Sequence, residues 1–398
     1  KIVVVGGGVA GLSAMAVLIA ALKDRPHASL VWISSAGHAS PRIFLPELIG
    51  EQLSANLAHI PLENLKRFGP FSLTVDTVQS IDFKRGCLKT RSTEIPFDYL
   101  LFAPGCDRLV EDSTRGDSSP TVVGIDCHET LAQGLSDIKA RTPTPRIAIV
   151  GGGPLGVNLA ATLAQGNSPS DAEIKSPLNG GLTITLIDKN PYLLSGYPDA
   201  FKKYALRTLR KMGVGLHLGQ PVNGSEQGKM EYMDGSPVDV DLVIWTPPGP
   251  PNTAPLTSSS RKKPLVDHYL RLSYGINCFA AGSAFRKGLM SDMDNGTSFP
   301  ITSAQMGRLA ARNLVASLSG RRLTSIHDEE LVASIAMGPN RAIAHVRGIT
   351  LKGLSASAVH RLAMNQIIPD PRGRAEHLGE WTQLALSPYL RGAPRKSR

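Results

Sequence analysis

Gly6, Gly8 and Gly11 follow the apolar run Ile2–Val5 in the spacing G-x-G-x-x-G, and Gly151, Gly153 and Gly156 follow Arg146–Val150 in the same spacing. That spacing suits the binding of a pyrophosphate. The first glycine allows a tight turn, and the second lets an anion approach the backbone. The third lets the following helix lie close to its strand, so that the helix N-terminus points at the phosphates. One such triplet is weak evidence. Two of them, each between a buried apolar run and a helical apolar pattern, predict two nucleotide-binding βαβ units.

A βαβ unit of this kind needs an acid at the end of its second strand, where a carboxylate accepts from the ribose hydroxyls. In the second unit Leu182–Ile187 reads as that strand and Asp188 ends it. A carboxylate there repels a 2′-phosphate, which favours NADH over its phosphorylated counterpart. In the first unit Leu30–Ile33 is the second strand, but Ser34 stands where the acid is expected. A hydroxyl still bonds a ribose oxygen, more weakly than a charge-assisted bond would.

Further elements must position these turns. Tyr99–Ala103, Leu242–Thr246 and Cys278–Ala281 read as buried strands, each running into a glycine- or proline-rich turn. Leu73–Arg91 alternates like antiparallel strands, and Gln305–Ser319 has helical periodicity. Gln165–Gly181 reads as an exposed insertion. The Pro- and Arg-rich tail from Ile367 is expected to fray.

With 398 residues, 42% of them hydrophobic, the chain buries a core large enough for two or three domains, which excludes disorder and a disulfide-stapled mini-fold. The 39 glycines and 29 prolines have no period, so collagen is excluded. The formal charge of +10 is compatible with anionic ligands, nucleic acid or an anionic membrane surface; the reading taken is a basic soluble enzyme without a nucleic-acid partner. Cys87, Cys106, Cys127 and Cys278 form no C-x-x-C pair, and no histidine or carboxylate cluster has metal-ligand spacing. No metal is therefore expected, and scattered thiols suit a reducing, cytoplasmic setting. No apolar stretch is long enough to span a bilayer.

The order of elements resembles the two-dinucleotide-binding-domain flavoproteins. Asp98–Gly105 is similar to the family's DYLVIATG segment, Leu242–Gly249 to its WTAG segment, and Asn277–Ser283 to its late FAD motif. Within that family the likeness is to type II NADH dehydrogenases, single-chain NADH:quinone oxidoreductases: Phe44–Gly50 is similar to their flavin-side loop, and Ser303-Ala304-Gln305 opens a helix that faces flavin and quinone there. The resemblance implies an α/β fold with two Rossmann-like domains and a small C-terminal region. The FAD domain would comprise 1–125 and 265–325, the NADH domain 126–264, and the C-terminal region 326–398. FAD would be held by Gly6, Gly8, Ala10, Gly11 and Ser34, with Ala103, Gly105, Gly282 and Ser283 closing the site. NADH would be held by Gly151, Gly153, Pro154 and Gly156, with Asp188 and Pro248. Gln305, Pro46 and Asn158 would lie at the reacting centre. A homodimer and a peripheral membrane contact are further implications.

Three positions depart from the family pattern. Ser34 and Ser283 replace acids that contact FAD, and Asn158 replaces a glutamate near the nicotinamide. Each lost charge-assisted hydrogen bond forfeits about 1.5–3 kcal/mol unless another contact compensates. Two expectations therefore stand side by side. One is an NADH-reduced flavoenzyme passing electrons to a small-molecule acceptor such as a quinone. The other is a tailoring enzyme on a small organic substrate, with FAD redox-active or structural and NADH use lost.

Overall fold

The computed structural model describes residues 1–50, 53, 59–106, 121–124, 128–165, 181–224, 230–257, 266–275, 277–285, 302–328, 332–338 and 340–391. Most of the Gln165–Gly181 insertion, and Cys127, lie outside the described residues.

The apolar β-branched runs form two parallel five-stranded sheets. The first contains β1 (Ile2–Val5), β2 (Leu30–Ser34), β3 (Ser72–Val75), β4 (Tyr99–Phe102) and, from far along the chain, Cys278–Ala280. Their spatial order is Cys278–Ala280, β4, β1, β2, β3, all parallel. The second contains β5 (Thr121–Gly124), β6 (Arg146–Val150), β7 (Thr183–Asp188), β8 (Gly215–Leu218) and β9 (Leu242–Trp245), in the order β5-β9-β6-β7-β8. Both are doubly wound orders, in which the direction of winding reverses beside β1 in the first sheet and β6 in the second and leaves a crevice at the carboxyl ends. The strand Cys278–Ala280, here β10, returns the chain to the first sheet after the second is complete.

Helix α1 (Val9–Leu22) starts directly after the first glycine turn, and its apolar residues join the core of the first sheet. The five-residue helix α2 (Leu45–Ile49) follows a single 3-10 turn. Helices α3 (His128–Arg141), α4 (Pro154–Leu163) and α5 (Asp199–Lys211) contribute to the core of the second sheet. Helix α6 (Ser303–Leu318) lies along α1. Gly307 of α6 makes this approach close: a Cβ there would sit 2.1 Å from the Ala10 carbonyl oxygen.

Two expectations are corrected. Ser72–Val75 is a parallel edge strand of the first sheet; only Val78–Asp82, Cys87–Thr90 and Glu94–Pro96 form the antiparallel sheet read over this stretch. The tail does not fray at Ile367. After an antiparallel sheet of β11 (Ala333–Ala336), β12 (Ala342–Val346) and β13 (Ile349–Lys352), two helices follow, α7 (Leu354–Asn365) and α8 (Pro371–Arg391). Asp370 accepts from the Arg372 and Gly373 N–H groups at 3.2 Å, and Pro371 occupies the first helical position, where its missing N–H costs nothing. The proline-rich composition marked a helix start.

The packing predicts a contrast between two glycine-to-alanine changes. Gly307→Ala places a methyl against backbone and should destabilise by about 2 kcal/mol or more. Gly379→Ala, on α8 with no atom within 4 Å of the added carbon, should stabilise by about 1 kcal/mol through helix propensity. Thermal melts of both variants check this.

Candidate functional site

Strand register places the two glycine turns in equivalent surroundings. Val5 pairs with Ile33 and Phe102, so Gly6 emerges beside Ser34 and Ala103. Val150 pairs with Ile187 and Trp245, so Gly151 emerges beside Asp188 and Thr246. Ser34 and Asp188 thus occupy matching positions in the two units.

Each turn begins with a left-handed glycine, Gly6 at φ +109° and Gly151 at φ +106°. A Cβ at Gly6 would lie 2.0 Å from the Ala103 oxygen, and one at Gly151 would lie 2.5 Å from Thr246 Oγ1. A Cβ at Gly11 or Gly156 would lie 1.9 Å from the oxygen of the turn's first glycine. The central glycines differ. Gly8 and Gly153, each immediately before a helix, have nothing within 4 Å of an added Cβ. An anion therefore has space at the two helix N-termini, where unpaired N–H groups and the helix dipole favour it. These are cradles of the kind a dinucleotide diphosphate needs.

Side chains pin both turns. Trp32 donates through Nε1 to the Gly6 oxygen at 3.0 Å, and Thr246 Oγ1 donates to the Val150 oxygen at 2.7 Å. Sequence reasoning passed over both; a buried tryptophan beside a glycine turn was the available signal. Asp188 accepts from the Gly152 N–H and, through Oδ1, from the Asn190 N–H at 2.6 Å and Nδ2 at 2.8 Å. Its carboxylate therefore faces the second turn with a fixed orientation. Ser34 is buried, 2.3 Å from where a Cβ on Gly7 would sit. Its hydroxyl lies under the first turn.

Gly282 stands against Ala10: a Cβ added there would lie 3.2 Å from the Ala10 Cβ. The Cys106 thiol donates to Ser283 Oγ at 3.4 Å. Gly105 turns the chain at φ +72°, and its oxygen accepts from the Asn252 N–H at 3.0 Å. Pro154 and Pro248 are exposed, beside the second turn and in the loop after β9. Asn158 is buried in α4. Gln305 serves its own helix: Oε1 accepts from the Thr302 N–H at 2.9 Å while Thr302 Oγ1 accepts from the Gln305 N–H at 3.2 Å, a capping box. Pro46 is buried at the start of α2, where its ring fixes the first turn.

A charged cluster that sequence reasoning missed adjoins Pro46. Glu47 is fully buried, with Arg361 Nη1 2.6 Å from Oε2, His377 Nε2 3.8 Å from Oε2 and His360 Nε2 4.0 Å from Oε1. His377 Nδ1 donates to Asn365 Oδ1 at 3.2 Å, and His360 Nδ1 lies 3.0 Å from Ser334 Oγ. Burial alone would raise the Glu47 pKa, but Arg361 and the two histidines outweigh it and hold the carboxyl below its ordinary value. Burial pushes His360 down to about 4, with Glu47 opposing and Arg361 and His377 adding to the shift. His360 is therefore neutral at pH 7. An acid within the apolar stretch Phe44–Ile49 was the signal, but its partners come from the other end of the chain.

Both shifts make acid destabilising. The unfolded chain binds a proton on His360 near pH 6.5 that the folded protein refuses until about 4, so stability falls as pH drops through that window. The contribution of Glu47, present above its ordinary pKa, is lost on further acidification. Denaturant titrations should show His360→Gln flattening the pH 6.5 to 4 portion of the curve, whereas wild-type stability loses ground there.

The geometry agrees with comparisons to known proteins. The family model described as "Pyridine nucleotide-disulphide oxidoreductase" matches residues 1–297. The type II NADH:quinone oxidoreductase of Haemophilus influenzae is 28% identical over 187 residues, 41% of this chain and 42% of that protein. The demethylphylloquinone reductase NdbB of Synechocystis is 26% identical over 260 residues, 63% of this chain and 60% of that one. The chain thus spans about half the length of these curated relatives. The fold is that of NDH2 from Plasmodium falciparum in complex with NADH, with TM-score 0.73, 14% identity, and 97% of this chain and 98% of that one covered. The sulfide:quinone oxidoreductase of Aquifex aeolicus aligns with TM-score 0.67 at 18% identity, over 99% of this chain and 96% of that one. With three-quarters of its length matched and both glycine turns built as described, the chain belongs to the pyridine nucleotide-disulphide oxidoreductase family.

Proposed function

We propose that the protein is an FAD-dependent oxidoreductase that takes hydride from NADH and passes two electrons to a small-molecule acceptor, most simply a quinone. The observation that carries this reading is the equivalence of the two glycine turns, of which only the second faces a carboxylate. The first turn would hold FAD, with Gly8 open to the diphosphate, Ser34 beneath the ribose position, and Ala103 and Gly282 closing the walls. The second would hold NADH, with Gly153 open to its diphosphate and Asp188 against its ribose. Bound flavin supplies two-electron chemistry that no side chain offers.

The chain's own work is to bind, orient and exclude water. The first N–H groups of α1 and α4 face the two diphosphate positions. Leu45, Pro46 and Ile49 close the seam between the units against solvent. Cys87, Cys106 and Cys278 are unpaired, so among the described residues no disulfide stands between donor and acceptor. In balance, NADH gives up a hydride and becomes NAD⁺, and the acceptor gains two electrons and two protons, one of them from solvent.

The second reading, a tailoring enzyme that does not use NADH, is motivated by the three positions without a carboxylate, Ser34, Ser283 and, on the helix after the second turn, the buried Asn158. The absorption spectrum separates the two. The first reading expects a flavin band near ~450 nm in the purified protein that NADH bleaches without oxygen. A band that NADH leaves intact favours the second reading, and a protein that stays colourless with added FAD sinks both. Asp188→Ala should raise the half-saturating NADH concentration about tenfold or more, while affecting the 2′-phosphorylated dinucleotide less.

A peripheral membrane contact belongs to the same proposal. No helix among the described residues is long and apolar enough to cross a membrane, but Ile349, Leu354 and Leu362 of the C-terminal region are each exposed. Co-sedimentation with anionic vesicles should weaken in an Ile349→Ser/Leu362→Ser variant; equal binding would remove this part of the reading.

A further inference from the structure

We propose that Glu47 is a positioning residue: its buried carboxylate, clamped by Arg361 with His360 and His377 beside it, fixes helix α2 in the seam where the two nucleotide-binding units meet, and so sets the geometry of transfer between them. The inference rests on the reading above for what is transferred; the clamp itself is read from the structure.

Helix α2 has five residues, too few to hold a helical conformation by its own hydrogen bonds. Its place must be imposed from outside. Apolar packing imposes it from two sides at once: Phe44 belongs to the core of the first sheet, with Leu48 packed against it, and Leu45 and Ile49 belong to the core of the second. The segment is thus shared between both units. Apolar contacts of this kind are non-directional and tolerate a shift along the seam. An ion pair in a dry interior does not tolerate it, because displacing one partner leaves an uncompensated charge.

The cluster supplies that directionality from a third part of the chain. Arg361 and His360 stand on α7, and His377 on α8. The two histidines are held in turn: His360 by Ser334 of β11, and His377 by Asn365 of α7 and a tilted ring contact with Phe44 at 6.2 Å. The C-terminal sheet that carries Ser334 also lends Ala333, Ile335 and Ile343 to the second core. The C-terminal region is therefore braced on the second unit while it grips the residue next to Pro46. Apolar residues of similar volume would fill the space without the desolvation cost of two ions. A register-setting role accounts for charge at this place.

Two variants in the full-length protein test this. Glu47→Gln removes the charge with little change of shape. Glu47→Leu/Arg361→Met removes both charges and retains the apolar packing should the single variant fail to fold. The first readout needs no cofactor: amide hydrogen exchange over residues 44–50 in flavin-free protein should speed up about tenfold or more while α1 stays protected. The second is the rate of flavin reduction by NADH, which should drop about tenfold or more at saturation with half-saturation within about twofold of wild type, the signature of lost positioning. Unchanged exchange in a folded variant overturns the proposal, as does faster exchange with an unchanged reduction rate. If wild-type flavin is itself not reduced by NADH, the proposed function has failed. Exchange over 44–50 then decides on the clamp alone, faster exchange supporting it and unchanged exchange overturning it.

Discussion

Backbone meets backbone in this protein with no side chain between, and the two nucleotide cradles depend on it. Gly11 and Gly156 let the helices α1 and α4 lie against the turns that precede them, and Gly307 lets α6 lie against α1. A methyl at any of these points would sit about 2 Å from a carbonyl oxygen, well inside contact distance. The helix N-termini can then face the crevice at the carboxyl ends of the strands, where sheet order reverses. Trp32, on the neighbouring strand of the first sheet, and Thr246, just past the end of the neighbouring strand of the second, hold the turns.

The two cradles share this backbone logic and differ in charge. Asp188 gives the second a carboxylate that the turn itself orients through the Gly152 N–H. Ser34 gives the first a buried hydroxyl at the same register position, and Ser283 faces a thiol. What the first cradle offers an anion is the glycine turn and the helix N-terminus, which are properties of backbone placement.

Helix α2 joins the parts. Two cores and the C-terminal helices converge on a segment of five residues, and the only fully buried acid in it is matched by Arg361. Breaking such a pair from one side costs about 3–5 kcal/mol, whereas removing both charges together is often neutral. The arrangement thus ties the reach of α7 and α8 to the seam between the units, and it makes the C-terminal region part of the site's construction.

The nucleotide units were legible in sequence because their signals are local. A buried strand, a glycine turn and a helix are set by neighbouring residues, and an acid at the end of the next strand completes the unit; Gly6–Gly11, Gly151–Gly156 and Asp188 were read that way. The helix beginning at Ser303 was legible for the same reason, although the capping role of Gln305 was not, since a glutamine three residues past a threonine serves a cap or a site equally well. Composition misled at the tail, where Asp370-Pro371 starts a helix that the proline count had argued against. Strand direction at Ser72–Val75 depended on which neighbour it met, and only the assembled sheet decided that. The Glu47 cluster is the extreme case. Its members come from α2, α7 and α8, and neither pattern nor spacing links them. Local chemistry determined the turns; long-range packing alone determined which charges share a buried volume, because burial is a property of the folded chain and not of any segment of it.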